Sequence, residues 1–188
     1  MNTMKFIPIL FSTEMVKAEQ AGRKTQTRRT RGLEEINENP NDWYIAGFED
    51  YGIIFCNQKT NEERYIGCPY GQPGDILWVR ETFQKIITTE GENAFVYKAD
   101  DDFYKDTIED WPGWSPNIHM PKAACRTFLL VKSAPPQRLN TILSKDCIAE
   151  GIEPVWPFVT EKRDTQLYKN YLDKGYTELG CVASFASL

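Results

Sequence analysis

Five cationic side chains (Arg23, Lys24, Arg28, Arg29 and Arg31) fall within nine residues of a chain whose formal net charge is −5. No other stretch limits the fold as tightly. The run concentrates positive charge in an otherwise acidic protein. It also follows Gly22, the residue type that most readily takes the left-handed conformation at a helix end. A helix must stop there and hand over to a cationic turn or strand. Thr25 and Thr27 place two hydroxyls among the charges. A cationic, hydroxyl-bearing turn at a helix terminus suits an anionic or polar ligand such as a nucleotide; the alternative is a solvated basic strand.

The order of residues refines that reading. If Thr25 to Arg29 is extended, Thr25, Thr27 and Arg29 share one face and Gln26 and Arg28 the other. Lys24 lies at the turn, where it can swing toward Thr27. A threonine hydroxyl is a weak nucleophile until a base takes its proton. A lysine acts as that base only where neighbouring cations and burial favour the neutral amine.

The rest of the composition excludes several classes. A chain of 188 residues can bury a core without staples. An apolar content of 41% and an aromatic content of 13% belong to a folded chain rather than a disordered one. The acidic balance argues against a broad nucleic-acid-coating surface, so any nucleic-acid contact should be confined to a small pocket. Cys56, Cys68, Cys125, Cys147 and Cys181 are scattered and form no CxxC pair. Neither a zinc site nor a disulfide framework is therefore expected, and free thiols in the cytoplasm are. His119 is the only histidine, so no metal or other cofactor is expected. Ile7 to Phe11 is too short for a signal peptide, with Glu14 close behind, and no run approaches the roughly 20 apolar residues of a membrane span.

Local signals then order the elements. Lys5 to Phe11 reads as a strand, with Pro8 marking an edge or bulge. Ser12 or Thr13 can cap a helix running to about Ala21, with Gly22 just beyond. Trp43–Ile45 and Gly52–Cys56 read as a hairpin, and a second follows around Asn57 to Ile66. Cys68 to Asp75 is a dense turn signal in which Gly74-Asp75 should form a tight, side-chain-bonded turn. It feeds a strong strand from Ile76 to Phe83. Phe95–Tyr97 and Phe128–Val131 are further strands, expected with the first and the Ile76 strand in one curved sheet. Ser144 can cap a short helix ending at Glu150, with Gly151 beyond it and Ile152 placed for a hydrophobic contact. A last helix is expected over Lys162 to Lys174. The class is α+β.

These segments together resemble the ASCH domains of the PUA-like superfamily, in the larger form found in phages and prophages. The resemblance is carried by Leu10-Phe11-Ser12-Thr13, Gly22 to Arg29, Pro73 to Glu81, Ile118-His119-Met120-Pro121 and Ala149-Glu150-Gly151-Ile152. It implies a single domain over 1–188: a pseudo-barrel of mostly antiparallel strands with a few flanking helices. Insertions would lie near 31–65 and 84–117, and the C-terminal strand that closes the barrel would be missing after Leu188. An exposed sheet edge and a homodimer through it are then expected. The resemblance further implies a cleft for a nucleoside or RNA.

One branch of the superfamily hydrolyses N4-acetylcytidine with a lysine, a threonine and a glutamate, and its G-R-K-T-x-T-x-R turn resembles Gly22 to Arg29. On that resemblance the catalytic residues are Lys24, Thr27 and Glu150: base, nucleophile, and proton donor or oxyanion-side partner. Arg23, Thr25, Arg28, Arg29, Arg80, Trp114 and His119 are the substrate-binding candidates, Trp114 as a stacking shelf in a proline-broken loop. Two functions stay open: an amidohydrolase acting on N4-acylated cytidine, and a non-catalytic reader of RNA or a modified base.

Overall fold

Apolar runs that follow turn signals become strands, as where the Pro73-Gly74 turn leads into Ile76–Arg80. We describe a computed structural model for residues 3–49, 52–100, 107–108, 110–138, 141–155, 167–169 and 176–177. It is α+β, with short helices and mostly antiparallel strands. In chain order come β1 (Phe6–Leu10), α1 (Thr13–Gln20), α2 (Glu34–Glu38), β2 (Trp43–Glu49), β3 (Gly52–Asn57) and β4 (Glu63–Gly67). β5 (Ile76–Arg80), β6 (Phe83–Ile87), β7 (Asn93–Tyr97) and β8 (Phe128–Leu130) follow. The last elements are α3 (Ser144–Ala149), β9 (Pro154–Val155), β10 (Leu167–Lys169) and β11 (Tyr176–Thr177).

The chain divides into two units. The first comprises Met1–Ile9, Arg29–Val79 and Arg126–Pro136. Its β2–β3–β4 meander matches both hairpins expected from the sequence, with a register shift between Ile45 and Gly47. Trp43, Ile53 and Phe55 bury one face of it against Ile36 of α2. β5 lies between β1 and β8 in a second sheet. Bonds from Ile76 N–H to the Lys5 carbonyl and from Phe11 N–H to the Arg80 carbonyl run β1 and β5 in the same direction. The Gly74-Asp75 turn forms as expected: the buried Asp75 carboxylate accepts from the backbone N–H groups of Lys5 and Gln72. Those two bonds hold its carboxyl below the usual range.

The second unit comprises Leu10–Arg28, Arg80–Cys125 and Gln137–Leu188. It holds α1, the β6–β7 hairpin and α3, with Phe83, Met120 and Ala124 at a core flanked by Phe95 and Tyr97.

The structure differs from the sequence reading at several points. The run Ile76 to Phe83 is not one strand: Glu81 is buried and its N–H turns to Met120 Sδ, so β5 ends at Arg80. Phe95–Tyr97 consequently pairs with β6 in a two-stranded sheet and is not part of the β1–β5–β8 sheet. Among the described residues, none of the sheets closes into a barrel. Ser144 begins α3 but does not cap it; Leu143 is the cap residue, and its N–H is taken by the Asp146 carboxylate. The helix expected over 162–174 falls mostly outside the described residues, and the part that is described, Leu167–Lys169, is β10. The C-terminal end, 178–188, also lies outside them.

Candidate functional site

Two helix ends build the site, and both lie in the second unit. Ser12 caps α1, its hydroxyl accepting from Met15 N–H at 3.3 Å. At the other end Gly22 has φ 70°, its N–H bonds the Glu19 carbonyl, and Arg23 N–H bonds the Ala18 carbonyl. This paired arrangement closes a helix and reverses the chain. Helix α3 ends the same way: Gly151 has φ 100°, its N–H bonds the Ile148 carbonyl, and Ile152 N–H bonds the Cys147 carbonyl. Ile152 is fully buried, as the capping contact requires. The two ends are stitched together, since the N–H groups of Thr25 and Gln26 both bond the Ala149 carbonyl at 2.8 and 2.9 Å. A Cβ on Gly151 would meet the Ala18 Cβ at 2.8 Å, so α1 and the end of α3 touch through a position only glycine fits.

Those bonds replace the strand considered for Thr25 to Arg29. The segment is irregular, and its side chains do not alternate: Thr25 and Gln26 are exposed, while Thr27 and Arg28 are partly buried. Its N–H donors go to a helix end instead of a neighbouring strand.

Lys24 turns inward. Its Nζ donates to Glu150 Oε2 at 3.0 Å, to the Glu150 carbonyl at 2.7 Å and to the Gln26 carbonyl at 2.9 Å. Three acceptors match the three donors of an ammonium. It also lies 5.3 Å from the centroid of the buried Phe11 ring, within cation–π range. The side chains of Lys24 and Glu150 are 2% and 0% exposed. A carboxylate at a helix C-terminus opposes the helix dipole. Here the conflict is relieved by two cations on separate oxygens, Lys24 on Oε2 and Arg28 Nη1 on Oε1 at 2.9 Å. Arg28 also donates to Gln137 Oε1 from Nη2 and Nε, at 2.6 and 3.1 Å, and its Nη2 lies 3.8 Å from Asp146. Two cations therefore face two carboxylates, with the Arg23 guanidinium near the same helix end on the Gly151 carbonyl.

Thr27 follows Gln26, whose carbonyl holds Lys24. Its Oγ1 is shielded from solvent and has no hydrogen-bond partner. An orphaned buried hydroxyl is destabilising unless something supplies its bond.

The other sequence candidates are distributed as follows. Arg23 makes only a long contact, 3.5 Å, to the Gly151 carbonyl. Arg29 belongs to the first unit and is partly buried. Arg80 donates to the Ile118 carbonyl, and Asn117 donates to the Phe11 carbonyl at 2.9 Å. These bonds tie the 3-10 turn Asn117–His119 to the residue beneath Lys24, with His119 itself exposed. Trp114 packs edge-on against Trp111, ring centroids 4.9 Å apart. The sequence reading missed Phe11, Gln137 and Asp146. Asp146 was legible only as an acidic first-turn residue, and no local signal marks Gln137. Among the described residues, no group of three or more His, Cys, Asp or Glu is arranged to hold a metal ion, and no helix is long and apolar enough to cross a membrane. No protein-family model, curated protein or solved structure matches the chain.

Proposed function

We propose that the second unit binds an uncharged acylated nucleobase or nucleoside and hydrolyses its exocyclic amide, with N4-acylated cytidine as the substrate class. The observation that carries this is the unpartnered, solvent-shielded Thr27 hydroxyl next in sequence to the carbonyl that holds Lys24, itself in a buried pair with Glu150. The choice of cytidine rests on the resemblance of Gly22–Arg29 to the N4-acetylcytidine-hydrolysing branch. The choice of an uncharged ligand rests on the pairing of Lys24 and Arg28 with carboxylates. Lys24 and Arg28 are committed to Glu150, Gln137 and Asp146, which leaves little excess charge for a phosphate.

In the proposed reaction Lys24 passes a proton to Glu150 Oε2, across the 3.0 Å bond, and as an amine takes the proton of Thr27. Thr27 Oγ1 attacks the acyl carbon. The carbon–nitrogen bond of the amide breaks, Glu150 gives its proton to the departing exocyclic nitrogen, and an acyl-threonine ester remains. Water, deprotonated by the same lysine–glutamate pair, hydrolyses that ester to the acid and restores Thr27.

A second reading, a nucleoside-binding site without turnover, is favoured by the three acceptors around Lys24, which suit a resident ammonium. One assay separates the two. Purified protein is mixed with N4-acetylcytidine, cytidine release is followed by ultraviolet absorbance, and binding by calorimetry. Hydrolysis predicts release that Thr27→Ala reduces to background while binding persists. Binding with no release in the unaltered protein establishes the reader, and neither binding nor release rejects both.

A further inference from the structure

We infer that Arg28 is a positioning residue: it fixes the orientation of the Glu150 carboxylate and does not bind the ligand. The inference rests on the hydrolytic reading of the same site and adds a role that the sequence had given to substrate binding. Its basis is how the two oxygens of Glu150 are shared. Oε2 belongs to Lys24 at 3.0 Å and Oε1 to Arg28 at 2.9 Å, on a side chain with no exposed surface. Rotation of the carboxylate about its last bond would break one of these contacts. Lys24 alone cannot prevent that rotation, because either oxygen can accept from the same ammonium.

Arg28 is itself held. Gln137 Oε1 accepts from two of its nitrogens, and Asp146 stands 3.8 Å away on the helix that ends at Glu150. A planar guanidinium clamped on one edge and aimed with another is suited to fix a carboxylate plane, whereas a flexible ammonium is not. The helix end does not need Arg28, because Lys24 Nζ also bonds the Glu150 carbonyl and the glycine cap closes the turn. Loss of Arg28 should therefore free the carboxylate without unwinding α3. In the proposed reaction Glu150 receives a proton from Lys24 and delivers it to the leaving nitrogen. A misdirected carboxylate slows those transfers and leaves ligand binding intact.

The experiment compares Arg28→Ala, Arg28→Lys and Gln137→Ala with the unaltered protein. Arg28→Ala should lower kcat on N4-acetylcytidine about 10- to 100-fold, the order of loss when a reacting group is displaced by around 1 Å, with KM changed less than about twofold. Millimolar guanidinium should restore part of that rate in Arg28→Ala and none in the unaltered protein. Arg28→Lys should fall between, and Gln137→Ala should lower kcat less than Arg28→Ala. Crystal structures of Arg28→Ala and Arg28→Lys give a readout independent of turnover, and Glu150 should be rotated or split between orientations in the alanine variant. A rise in KM at constant kcat makes Arg28 a ligand contact and overturns the inference. So does an unmoved Glu150 carboxylate. If the unaltered protein releases no cytidine, the hydrolytic reading fails, and the orientation of Glu150 in the two crystal structures still decides the role of Arg28. If Arg28→Ala does not fold, the lysine and Gln137→Ala variants carry the same test.

Discussion

Each unit contains an arginine or lysine group bound to glutamates, and the two groups differ chiefly in burial. In the first unit Arg64 Nε lies 3.0 Å from Glu35 and Nη2 lies 2.5 Å from Glu62, with all three side chains a third or more exposed. In the second, Lys24 and Arg28 meet Glu150 at 3.0 and 2.9 Å, with neither contact as short as 2.5 Å, but Lys24 and Glu150 have almost no surface. Separation alone would rank the Arg64 group higher. Burial reverses that order. Exposed pairs gain little because water screens them and long side chains must be ordered to form them. In a buried pair each charge depends on the other, so removing one strands its partner. The same chemistry is decorative in one unit and obligatory in the other.

The largest expected effect tests that contrast. Glu150→Ala should destabilise the protein by about 3–5 kcal/mol in urea unfolding, because Lys24 is left as a buried charge without its counter-ion. Combining Lys24→Met with Glu150→Gln should recover most of that loss, since no unpaired buried charge then remains. If Glu150→Ala costs less than about 1 kcal/mol, burial does not distinguish the two groups.

Next in size is Gly151→Ala. Its backbone φ is 100°, and the added methyl would sit 2.8 Å from the Ala18 Cβ. A loss of about 1–3 kcal/mol is expected from backbone strain, with the close contact adding to it. Thermal unfolding measures it, and under the proposed function nucleoside affinity should fall with it, because this contact seats the Lys24 turn against α3.

Asp75 sharpens the comparison through pH. Two backbone N–H bonds, from Lys5 first and then Gln72, hold its carboxyl below the ordinary value of 3.8. A depressed folded pKa stabilises the protein above the unfolded value, and the contribution fades as pH falls through the folded one. Asp75→Asn should therefore be less stable than the unaltered protein at neutral pH, with the gap narrowing below about pH 4. Urea midpoints measured between pH 7 and pH 3 check it, and a constant gap contradicts it.

The smallest effect belongs to Arg64. Arg64→Gln should change stability least of these variants, and by less still in high salt. A loss as large as that of Glu150→Ala would erase the distinction between the two groups.

What the sequence carried by itself was local. Ser12 and Gly22 delimit α1, Gly151 and Ile152 close α3, and the Trp43–Ile66 segment folds into the hairpins its short runs imply. Each signal acts within a turn or a hairpin, where a residue's own conformational preference and its nearest neighbours settle the outcome. The end of β5 was not local. Ile76 to Phe83 is apolar enough for one strand, and it breaks at Glu81 because the Glu81 N–H meets Met120, 39 residues away. The site was legible in part: the residues of Gly22–Arg29 and Glu150 stood out as unusual, and resemblance gave them roles. Their electrostatics were decided by tertiary structure. Lys24 reaches Glu150 across 126 residues and Arg28 reaches Gln137 across 109, and through the fold two cations of the run meet Glu150, Lys24 in a buried pair and Arg28 partly exposed. Composition counts charges; only the folded chain decides which of them lose their water and to which partners.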